Sequence, residues 1–280
     1  MNTQTPKKLM LRCYSKNRPI RATYSTALTG SPLHSHDYYE IEIIISGEAI
    51  HNLNSQSYEI KPGTAYILNP SSFHSYEIIK PLKLFGINFD GSVIPEKLFF
   101  KMNTVGASRQ IEISDERLQD IIKLGEILVK ECKKKDGGCS VEICECILAM
   151  LFEQVENSNP NPDKFDVGMQ KALLYLNSHF FESPSLAEVA KEANYHKNYF
   201  SEMFKQCFGQ TYSSMLNELK VNYAKVLLAT GFSVSEACFR SGFRSLSSFL
   251  SVFKEKEGIS PKKFKDRELA SKDANTLSEQ

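Results

Sequence analysis

Five polar side chains in the first third of the chain have the types and spacing of a binding site: His34, His36, Tyr38, Glu40 and His74. The first four alternate along the chain, so on a β-strand they project from one face, and Ile41, Ile43 and Ile45 take the other. Imidazole, phenol and carboxyl groups hydrogen-bond small polar ligands, and three histidines with a glutamate also suit a divalent metal. A ligand pocket, a metal site and inert packing are the three alternatives.

The elements that must position these side chains are short strands between about residues 20 and 105. The pieces are rich in isoleucine and tyrosine and partly alternate: IEIIIS, AIHNLN, SYEI, TAYIL and KLFGINF. Turn residues separate them, namely Gly47, Asn54, Pro62-Gly63, Asn69-Pro70 and Pro81. Many short strands at close spacing are typical of a sandwich or a barrel. The polar face of the histidine strand then predicts a polar-lined cavity.

Two helices are predicted after the strands. Ser114 has the position of an N-cap before Leu118, and KKKDGG at 133–138 ends that helix. Ser140 opens the next helix, whose apolar residues step by three and four positions: Val141, Cys144, Leu148, Leu151 and Val155. Such a stripe is either a seam that joins two chains or the core-facing side of an amphipathic helix. The first alternative predicts a homodimer.

Composition narrows the function classes. The chain has 280 residues and a formal net charge of +1, and its longest apolar run, residues 147–152, is far shorter than the roughly 20 residues of a membrane span. The first residues hold no signal-like apolar stretch, and the seven cysteines form no Cys-x-x-Cys pair, so we expect a cytoplasmic protein with packing cysteines. Residues 164–267 hold 15 basic and 10 acidic side chains, which is compatible with a nucleic-acid partner.

The C-terminal part of the chain repeats itself. SLAEVAKEANY (185–195) matches SVSEACFRSGF (233–243), and FSEMFKQCFG (200–209) matches FLSVFKEKEG (249–258). Each copy opens with Ser-x-x-Glu, the pattern of a capping box, and closes on a glycine suited to the end of a helix. A short helix, a tight turn and a second helix with a Phe-x-x-x-Phe pair describe a helix-turn-helix. We name these copies the first unit (residues 185–209) and the second unit (residues 233–258).

Two helix-turn-helix units predict binding to double-stranded DNA, with the second helix of each unit in the major groove. The non-core positions of those helices are the predicted contacts: Lys197, Asn198, Ser201, Glu202 and Lys205 in the first unit, and Arg244, Ser245, Ser247, Ser248, Ser251 and Lys254 in the second. Arg244 suits guanine, Asn198 adenine and Glu202 cytosine. Lys262, Lys263 and Lys265 are better placed to neutralise phosphate.

Residues 167–266 resemble the DNA-binding domain of the AraC/XylS transcription regulators. The resemblance rests on the two repeated motifs, on AKVLL in the helix that joins them and on Gly-x-Ser-Pro after the second unit. The chain departs from the family pattern where Lys220-Val221 stands in place of Arg-Leu, and where Glu202 and Ser251 stand in place of arginines. These departures weaken strong basic contacts rather than the fold.

Residues 20–95 resemble a cupin barrel. Gly30, His34, His36, Glu40 and Gly47 fit the first cupin motif, and Gly63, Pro70 and His74 fit half of the second. The resemblance implies an effector-binding barrel, often for a sugar, ahead of the helix-turn-helix pair. Because the second motif is incomplete and a sensor needs reversible recognition, a metal-free pocket without a cofactor is the preferred interpretation.

Together these observations predict an α+β multidomain protein, with a cupin-like β-barrel followed by helices and a C-terminal all-α domain with two helix-turn-helix units. The expected boundaries are a barrel with an N-terminal arm at 1–110, a helical and possible dimerisation region at 111–156, a linker at 157–164, the DNA-binding domain at 165–267 and a polar tail at 268–280. The expected partners of this bacterial, nucleoid-associated regulator are DNA, a sugar-like effector, RNA polymerase and a second copy, with no membrane. The alternatives are a cupin metalloenzyme with a helical appendage and a regulator controlled by a protein partner.

Overall fold

The computed structural model describes residues 19–54, 56–104, 110–153 and 165–277, together with the backbone of a short strand before them. The strands are β1 (Lys7–Leu9), β2 (Ile20–Ala27), β3 (Ser31–His36), β4 (Tyr39–Leu53), β5 (Gln56–Ile60), β6 (Thr64–Leu68), β7 (His74–Phe89) and β8 (Gln110–Glu112). The helices are α1 (Glu96–Thr104), α2 (Asp115–Glu131), α3 (Ser140–Phe152), α4 (Val167–His179), α5 (Leu186–Glu192), α6 (Lys197–Phe208), α7 (Tyr212–Ala229), α8 (Val234–Arg240), α9 (Leu246–Glu257) and α10 (Pro261–Leu277).

The two long strands β4 and β7 form the centre of the barrel. They pair antiparallel from Tyr39 opposite Phe89 to Leu53 opposite His74. The sheet order is β1-β3-β7-β4-β6-β8, with β2 paired to β7 and β5 paired to β4. One face of β4 places Ile41 and Ile43 in the core beneath the helices, and the other face carries the polar residues of the histidine strand. The predicted division of the two faces is therefore present.

Gly47 and Pro81 were expected at turns, and this expectation was wrong. Both lie inside the long strands β4 and β7, and IEIIIS and AIHNLN belong to one strand. The strands cross so closely that a Cβ on Gly47 would lie 2.2 Å from the carbonyl oxygen of Pro81, and Gly47 has a φ of +101°. The residues that resemble turn signals instead bend a continuous pair of strands, where the pairing register shifts.

The apolar stripe of α3 is core and does not form a seam between chains. Cys144 and Leu148 are fully buried and Leu151 is 1% exposed, within the cluster that joins the sheet to α2. Val155 lies outside the described residues. The stripe faces inward because the outer face of the sheet needs an apolar cover. A homodimer therefore requires another surface, and self-association stays a prediction of the sequence.

The ends of the expected regions also differ from the sequence prediction. Strand β2 belongs to the sheet, so an N-terminal arm does not include residues 20–27. Strand β8 pairs with β6, which continues the sheet beyond residue 110. Helix α10 continues through the expected polar tail to Leu277. The predicted linker at 157–164 lies outside the described residues.

The two helix-turn-helix units belong to two separate hydrophobic cores. Phe200 and Phe204 of the first unit share one continuous cluster with Ile41, Phe85 and other residues of the barrel. Phe249 and Phe253 of the second unit belong to a cluster that contains no barrel residue. Helix α4 fastens the first unit to the barrel, since Gln170 Nε2 donates to the carbonyl oxygens of Gly91 (2.8 Å) and Ile94 (2.9 Å).

Candidate effector pocket and DNA-reading surface

The structure brings all five predicted pocket residues together. The chain bends at Asp37 and Tyr38, between β3 and β4, and the alternation of side chains continues across the bend. His36 Nε2 lies 3.1 Å from a carboxyl oxygen of Glu40 and 3.0 Å from His74 Nε2. The ring of Tyr38 stacks on His36 with centroids 4.5 Å apart, and the His34 and His74 rings lie 4.3 Å apart. Every ring of this group therefore touches another member.

Five further residues line the same cluster: Glu42, His51, Tyr66, Tyr76 and Asn88. His51 Nε2 lies 3.2 Å from His74 Nδ1, Asn88 donates to Glu40 at 3.0 Å, and the Tyr76 hydroxyl donates to Glu42. The His51 ring stacks on Tyr76 and meets Tyr66 edge-on. Glu42 could have been found from the sequence, since it continues the alternation of Glu40. The others enter through the pairing of β4 with β6 and β7, which the sequence does not specify.

Burial disfavours charge throughout this cluster. It lowers the pKa of His36 and of His51 to about 3, and lowers that of His74 well below its usual value. The same burial raises the pKa of Glu42 to about 7 and that of Glu40 well above its usual value. Near neutral pH the cluster therefore presents uncharged imidazoles, and burial favours the protonated form of both carboxyl groups. Such groups offer both donors and acceptors to an uncharged polar molecule.

Two buried nitrogen atoms of the cluster have no hydrogen-bond partner among the described residues: His36 Nδ1 and His51 Nδ1. An unpaired buried polar atom costs about 1–3 kcal/mol. Each atom is therefore a place where a ligand or a water molecule would add a missing hydrogen bond.

Part of the cluster also has the geometry of a metal site. His36 Nε2, His74 Nε2 and a Glu40 oxygen are separated by 3.0, 3.1 and 4.0 Å. Zinc bonds of about 2.0–2.1 Å in a tetrahedron place ligand atoms about 3.3 Å apart, close to these separations. Neutral imidazole is the form that binds metal, so the residues fit a divalent cation.

The two units have the geometry that the repeat predicts. Ser185 with Glu188 and Ser233 with Glu236 form complete capping boxes. Helices α6 and α9 end at Gly209 (φ 68°) and Gly258 (φ 72°). All thirteen predicted DNA contacts in the two units and after them are exposed: Lys197, Asn198, Ser201, Glu202, Lys205, Arg244, Ser245, Ser247, Ser248, Ser251, Lys254, Lys262 and Lys263. Their exposure leaves them available to a duplex.

Two of the residues considered as DNA contacts make hydrogen bonds within the protein. Ser245 is the N-cap of α9, where its hydroxyl accepts the backbone N–H of Ser248 at 3.3 Å. The Lys265 ammonium donates to the carbonyl oxygen of Gly231 at 3.0 Å, so it stabilises the end of α7 instead of standing free for phosphate.

Three exposed side chains of the recognition helices were missed by sequence reasoning: Tyr199, Leu246 and Leu250. They are 52%, 40% and 40% exposed. The prediction favoured polar residues on these faces, and the large apolar side chains were assigned to the core.

The fold, the buried polar cluster and the exposed recognition helices define a class of protein. It is a DNA-binding protein in which a β-barrel precedes two helix-turn-helix units. Family models agree with both parts, since an AraC-like ligand-binding domain matches residues 18–98 and a helix-turn-helix domain matches residues 189–267. The chain belongs to the AraC/XylS family of transcription regulators. No described helix is long and apolar enough to cross a membrane.

Comparisons with curated proteins and with solved structures found similar chains. The transcriptional activator RhaR of Yersinia pseudotuberculosis serotype O:1b is 23% identical over 276 residues, which cover 92% of each chain. RhaR of Enterobacter sp. strain 638 is 24% identical, with 84% of this chain and 86% of the relative covered. ToxT from Vibrio cholerae O395 is a similar structure at 17% identity, with a TM-score of 0.39, covering 88% of this chain and 97% of ToxT.

Proposed function

We propose that the barrel binds a small, uncharged polar effector, a sugar or sugar derivative, and that binding changes how the two units engage DNA. His34, His36, Tyr38, Glu40 and His74 hydrogen-bond the effector, with His51 and Glu42 behind them. The burial of these polar groups supports this assignment, since it disfavours their charged forms and an uncharged polyhydroxy ligand needs hydrogen-bond donors and acceptors. The exposed residues of α6 and α9 contact the bases, and Lys262 and Lys263 contact phosphate.

The observation that carries this proposal is a contact between the pocket strand and the helix that joins the two units. Phe73 directly precedes His74, and its ring stacks on Tyr223 of α7 with centroids 4.6 Å apart and planes 8° apart. Tyr223 packs against both the core shared with the barrel and the separate core of the second unit. A shift of His74 on effector binding therefore reaches the element that sets the position of both units.

Hydrogen bonds and burial fix the loop that contains Phe73. Asn54 both donates its backbone N–H to the Phe73 carbonyl and accepts the Phe73 N–H, each at 2.9 Å. Asn69 accepts hydrogen bonds from the backbone and hydroxyl of Ser71. Residues 70–74 are all buried, although connections between strands normally lie at the surface. A buried, hydrogen-bonded loop transmits a displacement instead of absorbing it.

A thermal-shift screen with neutral sugars and polyols tests the effector site. A ligand at 100 times its Kd should stabilise the wild type by about 2.7 kcal/mol. Glu40→Gln should lose this stabilisation, because it alters the group bonded to His36 and Asn88. Glu48→Gln is the matched control, since Glu48 pairs with Lys80 on the surface. Stabilisation that is equal in all three proteins would place the ligand elsewhere.

A second candidate is a divalent cation held by His36, His74 and Glu40 with His34 nearby, favoured by the distances among their ligand atoms. Such a cation would supply a positive charge that attracts effector oxygen atoms. Elemental analysis of protein purified without a His tag separates the candidates. Near-stoichiometric zinc, iron or manganese that is lost in His36→Ala supports the cation. Protein without metal that still responds to a sugar supports the metal-free pocket.

The proposal also covers partners and location. The relatives are named transcriptional activators, which favours contact with RNA polymerase and a cytoplasmic, nucleoid-associated protein. A regulator without enzymatic activity fits the site better than a metalloenzyme, because the helical half forms two DNA-reading units. Self-association through a surface other than the α3 stripe belongs to the same proposal.

A further inference from the structure

Helix α9 exposes two leucines on the face that the second unit turns toward DNA. Leu246 and Leu250 lie four residues apart and are therefore neighbours on one side of the helix. Each is 40% exposed, whereas Phe249 and Phe253 on the opposite side are fully buried. Single exposed leucines are common on proteins. A neighbouring pair in the first turns of a recognition helix lies where base edges are contacted.

The surroundings of this pair contain hydroxyl groups and few charges. The neighbouring exposed positions of α9 hold Ser247, Ser248 and Ser251. In the matching positions of α6, residue 197 is a lysine, 198 an asparagine, 199 a tyrosine, 201 a serine and 202 a glutamate. The two helices thus occupy equivalent places in the repeat and present different chemistry: α6 offers charge, an amide and an aromatic ring, and α9 offers methyl and hydroxyl groups.

Only one base edge in the major groove offers an apolar group. Thymine carries a C5 methyl, whereas cytosine carries only a hydrogen at C5 beside its amino donor, and guanine and adenine present hydrogen-bonding atoms. A leucine over those atoms would remove water from them and leave them unpaired, which costs free energy. A leucine over a thymine methyl instead buries two apolar groups against each other.

We propose that Leu246 and Leu250 recognise thymine methyl groups in the part of the operator contacted by the second unit. This inference rests on the proposed function, in which both units contact one duplex. It assigns thymine recognition to the two leucines of α9, beside the predicted guanine contact of Arg244, and it leaves polar discrimination in the first unit to Lys197, Asn198 and Glu202.

The test uses the full chain and a duplex selected from a random library. Each thymine of the selected site is replaced in turn by deoxyuridine, which removes only the methyl group. In the part contacted by the second unit, one or two replacements should weaken wild-type binding about fourfold each, the value for one buried methyl-sized group. Replacements in the part contacted by the first unit should have the same effect on the wild type and on variants of the two leucines.

Variants assign the effect to the leucines. Leu250→Ala should bind the thymine and deoxyuridine duplexes equally at one position, and Leu246→Ala at the other. Leu28→Ala is the matched control at an exposed leucine of the barrel and should keep the discrimination. Equal wild-type binding to thymine and deoxyuridine throughout the second part would overturn the inference, as would discrimination that survives in both leucine variants. Failure to select any sequence would instead contradict the proposed DNA-reading function itself.

Discussion

The first and second units share one motif but are built into the molecule in different ways. Phe200 and Phe204 of the first unit lie in the core that continues into the barrel, whereas Phe249 and Phe253 of the second lie in a core of their own. The exposed faces also differ, since Leu246 and Leu250 of α9 stand where α6 has a lysine and a serine. The difference shows that a repeated motif fixes the local fold and leaves both the neighbours and the exposed chemistry free to diverge.

Removing one aromatic ring from each core should give the largest effect. Phe204→Ala and Phe253→Ala should each cost about 3–5 kcal/mol, because both rings are fully buried. Phe204→Ala should increase hydrogen exchange in the barrel as well as in the first unit. Phe253→Ala should increase exchange in α8 and α9 and leave the barrel protected. Equal loss of barrel protection in both variants would show that the two cores are one.

Low pH should destabilise the barrel, and with it the first unit, before the second unit. Burial lowers the pKa of His36 and His51 to about 3 and also lowers that of His74, so below pH 6.5 the unfolded chain binds more of their protons and stability falls. The raised pKa values of Glu40 and Glu42 act oppositely, since the folded chain keeps their protons as the pH rises. Because His34 also has a lowered pKa, four histidines outweigh two carboxyls.

Barrel stability should therefore decrease between pH 6.5 and 5, and the first unit should lose protection before the second. His51→Gln should reduce the slope of unfolding free energy against pH by up to about 1.4 kcal/mol per pH unit, the value for one proton. Leu28→Gln, at an exposed position of the barrel, is the control and should keep the wild-type slope. An unchanged slope in His51→Gln would mean that folding does not change the proton binding of this imidazole.

The stack of Phe73 on Tyr223 should contribute a smaller, specific effect. An aromatic pair contributes about 0.5–1.5 kcal/mol beyond its burial. Tyr223→Leu should reduce the change in DNA affinity caused by a stabilising sugar by up to about tenfold, and Phe73→Leu should add nothing further in a double-mutant cycle. Tyr24→Leu removes a similar stack, on Phe85, away from the DNA-reading units and serves as the control. An undiminished response in Tyr223→Leu would exclude this contact as the route.

Replacing either of the two lysines after the second unit should have the smallest effect of these changes. The two replacements should affect different properties of the protein. Lys263→Ala should weaken binding to all duplexes alike and lower the slope of log affinity against log salt by about one, because one phosphate contact is lost. Lys265→Ala should keep the salt slope and lower thermal stability, because its ammonium holds the Gly231 carbonyl. If Lys265→Ala lowered the salt slope and Lys263→Ala lowered the thermal stability, the two assignments would be wrong. Binding titrations at several salt concentrations with thermal melts distinguish the cases.

The reading units were more predictable than the pocket, for a physical reason. Capping boxes, helix-ending glycines and buried Phe pairs are local signals, so Ser185, Gly209 and Phe253 could be placed from the sequence alone. The pocket depends on strand register: His51 and Asn88 join Glu40 and His74 only because β4, β6 and β7 pair as they do. Gly47 misled because a strand bend resembles a turn, and the α3 stripe left two alternatives open because an intrachain core resembles a dimer seam.

Hydroxyl-radical footprinting of the full chain on a selected duplex tests most directly that both units engage DNA together. Two recognition helices on one face of a duplex should protect two regions about 10 base pairs apart. Phe253→Ala should lose protection of one region and keep the other. A single protected region in the wild type, unchanged in this variant, would contradict the tandem arrangement.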